Sequence, residues 1–450
     1  MRIAIVGGGA SGVLTAVQLA RCWTGEVRPQ VFLYDASARV ARGAAYSTEN
    51  PRHLLNVPAG RMSALADEPD HFVRWLARDS PTVTPEDYRP RIDYGNYLAH
   101  CLAMHARDVG LTVRHVSVDD IERAGDEWRV WHSRGIDVVD AVVLAVGHAA
   151  PASLPVLGPP SDRYVPDPWA PGALERLVRT TDRDDIVLAV GTGLTAIDVA
   201  LSVVPHDRRV LAVSRHGLLP AAQRETMPAP VPLTLPGAPV MTASEVERLV
   251  VRHVSEVTAA GGDWRAAIDG VRPVTAQLWQ RMPVAEKATF LAGAARRWEI
   301  VRHRMAPEIA RCIGFWRASG RFDTQQGEVV AAVRGPDGVR LTLRRGDGGI
   351  EGVEAAAVVN CTGPLCDVDA FPLGRSLHER GLVQRDPLGL GVVVDEDGRA
   401  VDTDGHANPS LRVVGALRRG ALYESTAIPE LRDQAVQTAT ALSAEGVLRA

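Results

Sequence analysis

Short apolar runs that lead into glycine recur along the chain and predict its strands. Residues 2–6 and 185–190 form two such runs, and each opens directly into a glycine-rich turn. Residues 140–147 and 354–363 form two more, and each of these ends in glycine. After the first turn the apolar residues recur at helical spacing from Val13 to Cys22. Strand, turn and helix in this order predict two βαβ units, which are typical of parallel sheets covered by helices.

The first glycine-rich turn has the spacing of a dinucleotide-binding motif, Gly-x-Gly-x-x-Gly. Its positions, from the turn into the helix, are Gly7, Gly9, Ala10, Ser11 and Gly12. These glycines permit a tight turn, the approach of backbone to a pyrophosphate and close packing of the helix on the strand. The next strand ends in Asp35, which is placed to accept hydrogen bonds from a ribose diol. We expect an adenine dinucleotide here; a glycine turn without a nucleotide is the alternative.

A second motif of the same kind follows the strand at 185–190. Its positions are Gly191, Gly193, Thr195 and, in the third small position, Ala196. The strand that follows, 209–216, has no acid at its end, where Ser214 and Arg215 stand instead. An acid there repels a 2′-phosphate, whereas an arginine and a hydroxyl favour one. We therefore expect NADPH at this site; the alternative for Arg215 is a solvated surface arginine.

Composition excludes several classes of protein. The chain has 450 residues, with 50 basic and 54 acidic side chains, so its net charge of −4 argues against a nucleic-acid binder. Lys287 is the only lysine, and its surroundings fit neither a P-loop NTPase nor a pyridoxal enzyme. Prolines and glycines interrupt the long uncharged runs, so we expect no membrane span. Five cysteines without a Cys-x-x-Cys motif favour the reducing cytoplasm.

The order of the elements predicts an α/β fold of two nested, doubly wound, Rossmann-like dinucleotide-binding domains with a helical insert. The FAD-binding domain is expected to comprise residues 1–165 and 355–450. The NAD(P)H-binding domain is expected at 180–354, and its helical insert at about 220–330. Two such domains in one chain normally hold one flavin and receive one nicotinamide nucleotide, with hydride passing between them.

Several further segments extend the pattern almost from end to end. They are residues 43–46, 53–62, 91–98, 167–169, 214–220, 303–307, 360–364, 415–420 and 424–430. With these segments the chain resembles the bacterial two-dinucleotide-domain FAD/NAD(P)-binding flavoproteins, a group related to the flavin-dependent N-hydroxylating monooxygenases. The group includes amino-acid N-oxygenases that convert the amino group of aspartate to a nitro group. The resemblance implies FAD and NADPH as cofactors but does not fix the substrate.

The resemblance also implies that the loop at 54–62 lies along the flavin ring, with Leu55, Asn56 and Val57 nearest to it. An ordinary packed loop is the alternative. In the residues themselves, the strand ends at Gly147 and Gly415 and the predicted helix from Ile428 fit elements that close a flavin domain. The N-terminus of that helix would favour the negative charge that develops on the reduced flavin. Related reductases usually have Gly-Asp after this strand; here it is Gly-Ala, and Glu424 is one candidate for the missing acid.

Three kinds of chemistry compete for such a chain. A disulfide reductase needs two reactive cysteines, but Cys361 follows an apolar strand and fits a buried residue better. A plain NAD(P)H oxidase or reductase that passes electrons to oxygen or a partner, and a flavin-binding protein without turnover, both stay open. The leading prediction is a monooxygenase, in which NADPH reduces FAD and oxygen forms a flavin C4a-hydroperoxide. The protein then excludes water and positions the substrate.

The substrate region is expected within the helical insert, which concentrates arginines near residues 296–304. If Arg302, His303 and Arg304 face the flavin, they suit a small amine substrate that carries a carboxylate. A solvated basic helix face and a role in binding NADPH phosphates are the alternatives. The catalytic residues are not identified, and no metal-ligand cluster stands out. The expected partners are this small molecule and molecular oxygen; homo-oligomerisation stays open.

Overall fold

The frame of the molecule is built from the apolar runs that the sequence singles out. The structure is a computed structural model that describes residues 1–449, and the side chains of residues 1–445. The strands are β1 Arg2–Val6, β2 Gln30–Tyr34, β3 Thr112–Arg114, β4 Val118–Ala124, β5 Glu127–His132, β6 Gly135–Val139, β7 Ala141–Leu144, β8 Ala149–Pro151, β9 Tyr164–Val165, β10 Ile186–Val190, β11 Arg209–Ser214, β12 Phe322–Gln326, β13 Glu328–Arg334, β14 Val339–Arg344, β15 Ile350–Ala355, β16 Ala357–Asn360, β17 Pro364–Leu365, β18 Arg399–Val401 and β19 Ala407–Val413.

Helices cover both parallel sheets and form the insert. They are α1 Ala10–Cys22, α2 Gly43–Tyr46, α3 His71–Leu76, α4 Arg91–His105, α5 Ala173–Thr180, α6 Leu194–Val203, α7 Ala243–Ala259, α8 Trp264–Val271, α9 Thr275–Gln280, α10 Val284–Ala292, α11 Ala295–Arg302, α12 Pro307–Ala318, α13 Pro372–Glu379, α14 Arg419–Leu422 and α15 Ile428–Arg449. Among residues 1–449, no helix has both the length and the apolar character needed to cross a bilayer.

The two sheets repeat one topology. The first has the strand order β18-β19-β7-β1-β2-β3, and the second has the order β12-β11-β10-β16-β9. In the first sheet, β1 precedes the first glycine motif and lies between β2 and β7, parallel to both. In the second sheet, β10 precedes the second motif and lies between β11 and β16, parallel to both. A three-stranded antiparallel sheet precedes β7 and another precedes β16. The predicted α/β fold with two doubly wound units is confirmed.

The predicted domain boundaries stay a prediction, but two strands near them lie in the other sheet. β9 and β16 were assigned to the FAD segments 1–165 and 355–450, and both belong to the second sheet. β16 is the counterpart of β7, so it pairs beside the second motif rather than the first. The insert is also shorter than expected: its helices α7–α12 end at residue 318, and β12 joins the second sheet inside the predicted range of 220–330.

Candidate functional site

The glycines of the first motif are of two kinds. Gly12 is required by packing, because a Cβ there would overlap the carbonyl oxygen of Gly7. A Cβ on Gly9 would meet only the backbone of Gly43, at 3.5 Å, which is an ordinary van der Waals contact. The protein's own packing therefore does not demand glycine at position 9. A bare backbone at the N-terminus of α1 fits the close approach of a bound dinucleotide.

Asp35 lies against this motif, directly after β2. A Cβ built on Gly8 would be 2.6 Å from the Asp35 Oδ2 atom. Burial raises the pKa of Asp35, although backbone hydrogen bonds from Ser37 and Gly8 act in the opposite direction. Hydrogen bonds from a ribose diol would stabilise the charged form of this partly desolvated carboxylate. The residue stands where the sequence places it, and its role stays a prediction.

The predicted closing elements meet the first motif. A Cβ on Gly415 would be 2.5 Å from Ser11 Oγ, so the end of β19 touches the first turn of α1. The Gly415 N–H donates to Gln434 Oε1 of α15 at 2.8 Å. Ile428 begins α15 and is buried in the same hydrophobic core as α1. Gly147 follows β7 with open space where its Cβ would point.

The loop at 54–62 lies between the two units. Leu55 is buried in the core of the first unit, and its N–H donates to the carbonyl of Arg89 at 2.8 Å. Asn56 and Val57 are half-buried. Just before them, His53 contacts the carbonyl oxygen of Asp198 in α6 at 2.9 Å. The loop is thus anchored on both sides, and its contact with a flavin stays a prediction.

In the second motif, too, packing requires one glycine but not the other. A Cβ on Gly191 would overlap the carbonyl oxygen of Cys361, so the fold requires this glycine. A Cβ on Gly193 would meet only Arg296 Nη1, at 3.7 Å. Thr195, in the first turn of α6, is half-buried. The same position in both motifs therefore keeps a bare backbone that the protein's packing does not need.

Ser214 and Arg215, the two candidates for binding the 2′-phosphate at the end of β11, differ in whether they have a free hydrogen-bond donor. Thr192 Oγ1 donates its only proton to the Leu218 carbonyl at 2.6 Å, so Ser214 must donate in the 2.8 Å bond between the two hydroxyls. The Ser214 proton is therefore already used within the protein. Arg215 is exposed to solvent. Of the predicted pair, only Arg215 has donors to offer a phosphate.

Arg302 lies inside the protein rather than on a solvated basic face, whereas His303, the next residue, is exposed. Arg302 and Glu424 form an ion pair at 2.9 Å, and each side chain is only 9% exposed. Trp298 Nε1 also donates to Glu424, at 3.1 Å. Burial acts to raise the pKa of Glu424, but the charges of Arg302 and His303 and the hydrogen bonds from Arg302 and Trp298 together lower it.

Arg304 is the centre of a second buried cluster. Its side chain is 3% exposed and pairs with Asp269 of α8. Arg61 Nη1 approaches the other oxygen of Asp269 at 3.9 Å. Within residues 1–445, Arg304 Nε, Arg304 Nη1 and the Tyr88 hydroxyl are buried without a hydrogen-bond partner. Burial raises the pKa of Tyr88 to about 12, against the charges of Arg304 and Arg61. Two guanidinium groups thus share one carboxylate.

Sequence reasoning missed the partners in these clusters. Asp269 and Tyr88 lie in none of the segments that the sequence singles out, and Arg61 and Glu430 lie in two of them without any sign of these contacts. Arg272 of the insert, for example, forms a 2.5 Å ion pair with Glu430 in the first turn of α15. The solvated-face alternative fits His303, which is exposed, and Arg297, which is 61% exposed, but it does not fit the buried side chains of Arg302 and Arg304.

The insert also lines a partly open pocket of about 420 Å³. Its walls are mostly apolar and include Leu278, Trp279 and Phe290. Trp298 and Tyr423 form another wall, and these two residues flank the Arg302–Glu424 ion pair. Cavities of this size and character commonly hold the apolar part of a small ligand.

Comparison with known proteins agrees with this architecture. A family described as FAD-NAD(P)-binding matches residues 4–149. No curated protein matches the chain. The chain is similar to L-lysine 6-monooxygenase from Pseudomonas syringae, at 16% identity and a TM-score of 0.62 over 100% of this chain and 99% of the other. It is also similar to the ornithine N-hydroxylase of Kutzneria sp. 744, at 16% identity and 0.61 over 99% and 98%.

The same fold occurs with other chemistry. Lactococcus lactis thioredoxin reductase is 11% identical, with a TM-score of 0.52 over 100% of this chain and 99% of the other. At such identities the likeness establishes the fold. The match at residues 4–149 confirms the predicted class of cofactor, FAD and a nicotinamide nucleotide. The chain therefore carries an FAD/NAD(P)-binding domain and has the fold of the two-dinucleotide-domain flavoproteins.

Proposed function

We propose that the protein is an FAD-dependent, NADPH-using monooxygenase that oxygenates a small amine bearing a carboxylate. The observation that carries the proposal is the pair of glycine motifs in which Gly9 and Gly193 keep bare backbone that packing does not require. Two nucleotide sites in one chain suit a resident flavin and a visiting NADPH. The similar solved structures named as lysine and ornithine hydroxylases support the reaction class.

Gly9 of the first motif and Asp35 would hold the flavin, which would supply the chemistry for accepting hydride from NADPH and activating oxygen. The chain's own residues would hold both nucleotides, exclude water and orient the amine. The Arg302–Glu424 ion pair is internally neutral, so it adds no net charge that would repel or trap the substrate amine.

The Arg304 cluster supports a carboxylate on the substrate. Arg61 and Arg304 bring two positive charges to one carboxylate, that of Asp269. Buried donors normally have partners, and here Arg304 Nε, Arg304 Nη1 and the Tyr88 hydroxyl have none within the described side chains. A substrate carboxylate would balance the charge and accept from these donors. Arg302 and His303, beside this cluster in sequence, would form part of the same pocket.

The disulfide-reductase alternative does not fit the cysteines. Cys361 packs in the core of the second unit, whereas Cys366 packs with the helical insert. Burial raises the pKa of both thiols, so neither is a ready nucleophile. An NADPH oxidase that releases hydrogen peroxide remains the second candidate. A cytoplasmic location remains a prediction.

The proposal is tested by product analysis with NADPH, oxygen and a panel of amines. Amines that carry a carboxylate, aspartate among them, are expected to give N-oxygenated products; matched amines without one are not. Arg304→Met, made together with Asp269→Asn so that no lone charge stays buried, is expected to raise KM for the carboxylate substrate by about 10- to 100-fold. Flavin reduction by NADPH should change little.

The control is Arg340→Met, in the exposed ion pair with Glu354 on the antiparallel sheet that precedes β16. It should leave KM unchanged. Hydrogen peroxide as the sole product with every amine would identify an oxidase instead. Equal turnover of amines with and without a carboxylate would remove the substrate class while leaving the monooxygenase assignment in place.

A further inference from the structure

We propose that Arg296, in α11 of the helical insert, binds the pyrophosphate of the nicotinamide nucleotide. The inference rests on the proposed NADPH site at the second glycine motif and adds to it a residue from a distant part of the chain. The insert would then do more than surround the substrate, since one of its helices would complete the nucleotide site.

The position of Arg296 is fixed by contacts with the second motif. Its Nη2 atom donates to the Leu218 carbonyl at 2.8 Å and to Thr192 Oγ1 at 3.3 Å. Its Nη1 atom is 3.7 Å from the point where a Cβ on Gly193 would stand. The guanidinium group is therefore held by hydrogen bonds through Nη2, and its Nη1 atom lies beside the bare backbone of the motif.

The charge of Arg296 is weakly compensated. Its nearest carboxylate is Glu299, one turn along the same helix, at 3.6 Å. Glu299 is shared, because Arg419 also approaches it at 3.7 Å. The first turn of α6 contains no acidic residue. A phosphate placed at this turn would thus meet a cation whose charge is only partly neutralised, and arginine binds phosphate in a forked geometry.

Placement within the motif favours the pyrophosphate over the 2′-phosphate. In this fold the pyrophosphate lies at the glycine turn and helix N-terminus, and the ribose lies at the end of the following strand. Arg296 is beside Gly193, in the glycine turn, whereas Arg215 follows β11. The pyrophosphate is common to NADPH and NADH. Arg296 is therefore expected to serve both nucleotides, and Arg215 is expected to distinguish them.

The test is calorimetric titration of NADP⁺ and NAD⁺ into the oxidised, flavin-loaded protein. Arg296→Ala is expected to raise Kd for both nucleotides by the same factor, about 10- to 100-fold. Arg296→Lys keeps the charge without the fork and should give an intermediate value. Arg215→Ala should raise Kd for NADP⁺ only. Arg297→Ala, at the next residue but facing Glu247, should raise neither.

Unchanged affinity of Arg296→Ala for both nucleotides would overturn the proposal, as would a loss confined to NADP⁺, which would place the arginine at the 2′-phosphate. An equal loss of NADP⁺ affinity in Arg297→Ala would also overturn it, because general charge rather than position would then be responsible. Wild-type protein that binds neither nucleotide would overturn the proposed NADPH function itself. Flavin absorbance and melting temperature, measured on each variant, report whether it is folded.

Discussion

Gly9→Val is expected to give a folded but colourless protein. A Cβ at this position has 3.5 Å of clearance from the Gly43 backbone, so the apoprotein can accommodate a side chain. The added methyl groups would occupy the space into which the dinucleotide's pyrophosphate must come. We therefore expect purified protein without the flavin band near 450 nm but with unchanged secondary structure. The measurements are flavin content after denaturation and circular dichroism of the native protein.

A matched variant separates loss of flavin from loss of fold. Gly12→Val places its Cβ on the carbonyl oxygen of Gly7, so it should disrupt the strand-turn-helix unit itself and lower the melting temperature sharply. Gly9→Val should not. A yellow, fully loaded Gly9→Val protein would contradict the assignment of FAD to the first motif.

Gly193→Val is expected to keep the flavin but lose reduction by NADPH. A Cβ on Gly193 would stand 3.7 Å from Arg296 Nη1, which is an ordinary van der Waals contact, so folding should be unaffected. A bulky residue would displace the nicotinamide nucleotide from the second motif. Because hydride transfer depends steeply on position, the rate of flavin reduction should fall by at least about 10²-fold. Anaerobic stopped-flow absorbance measures this rate.

Dithionite is the control for this experiment, since it reduces flavin without a nucleotide site. It should bleach Gly193→Val and wild-type protein alike. If Gly193→Val is reduced by NADPH at the wild-type rate, the second motif is not the nicotinamide site. If dithionite also fails, the substitution has altered the flavin environment instead.

The sequence predicts the parallel frame because its strands are continuous apolar runs punctuated by glycine. β1 and β10 are found where the runs stand, and the C-terminal helix begins at Ile428 as expected. The antiparallel sheets were not predicted. Their strands alternate, as in β5, whose residues switch between exposed and buried along Glu127–His132. The exposed face of β5 carries Glu127, Arg129 and Trp131, so this strand lacks the long apolar run of a central strand.

The candidate site is harder to predict from the sequence than the fold is. The basic segment near residue 302 was visible, but not whether it faced solvent. Whether these arginines are buried depends on carboxylates that lie far away in the sequence. Arg304 pairs with Asp269, 35 residues away, and Arg302 pairs with Glu424, 122 residues away. Ion pairs of this kind obey no spacing rule, because only the packing of α8, α11 and the segment before α15 brings them together. The clearances that distinguish Gly9 from Gly12 are equally invisible in a sequence motif.

The most direct test of the central claim is rapid mixing of the reduced protein with oxygen. The flavin-loaded protein is reduced anaerobically with NADPH and mixed with oxygenated buffer while its absorbance spectrum is recorded, with and without a carboxylate-bearing amine. We predict fast bleaching by NADPH, then a transient spectrum of an oxygenated flavin before the oxidised form returns. Failure of NADPH to reduce the flavin would contradict the two-nucleotide mechanism. Direct return to the oxidised spectrum under both conditions would contradict the monooxygenase assignment.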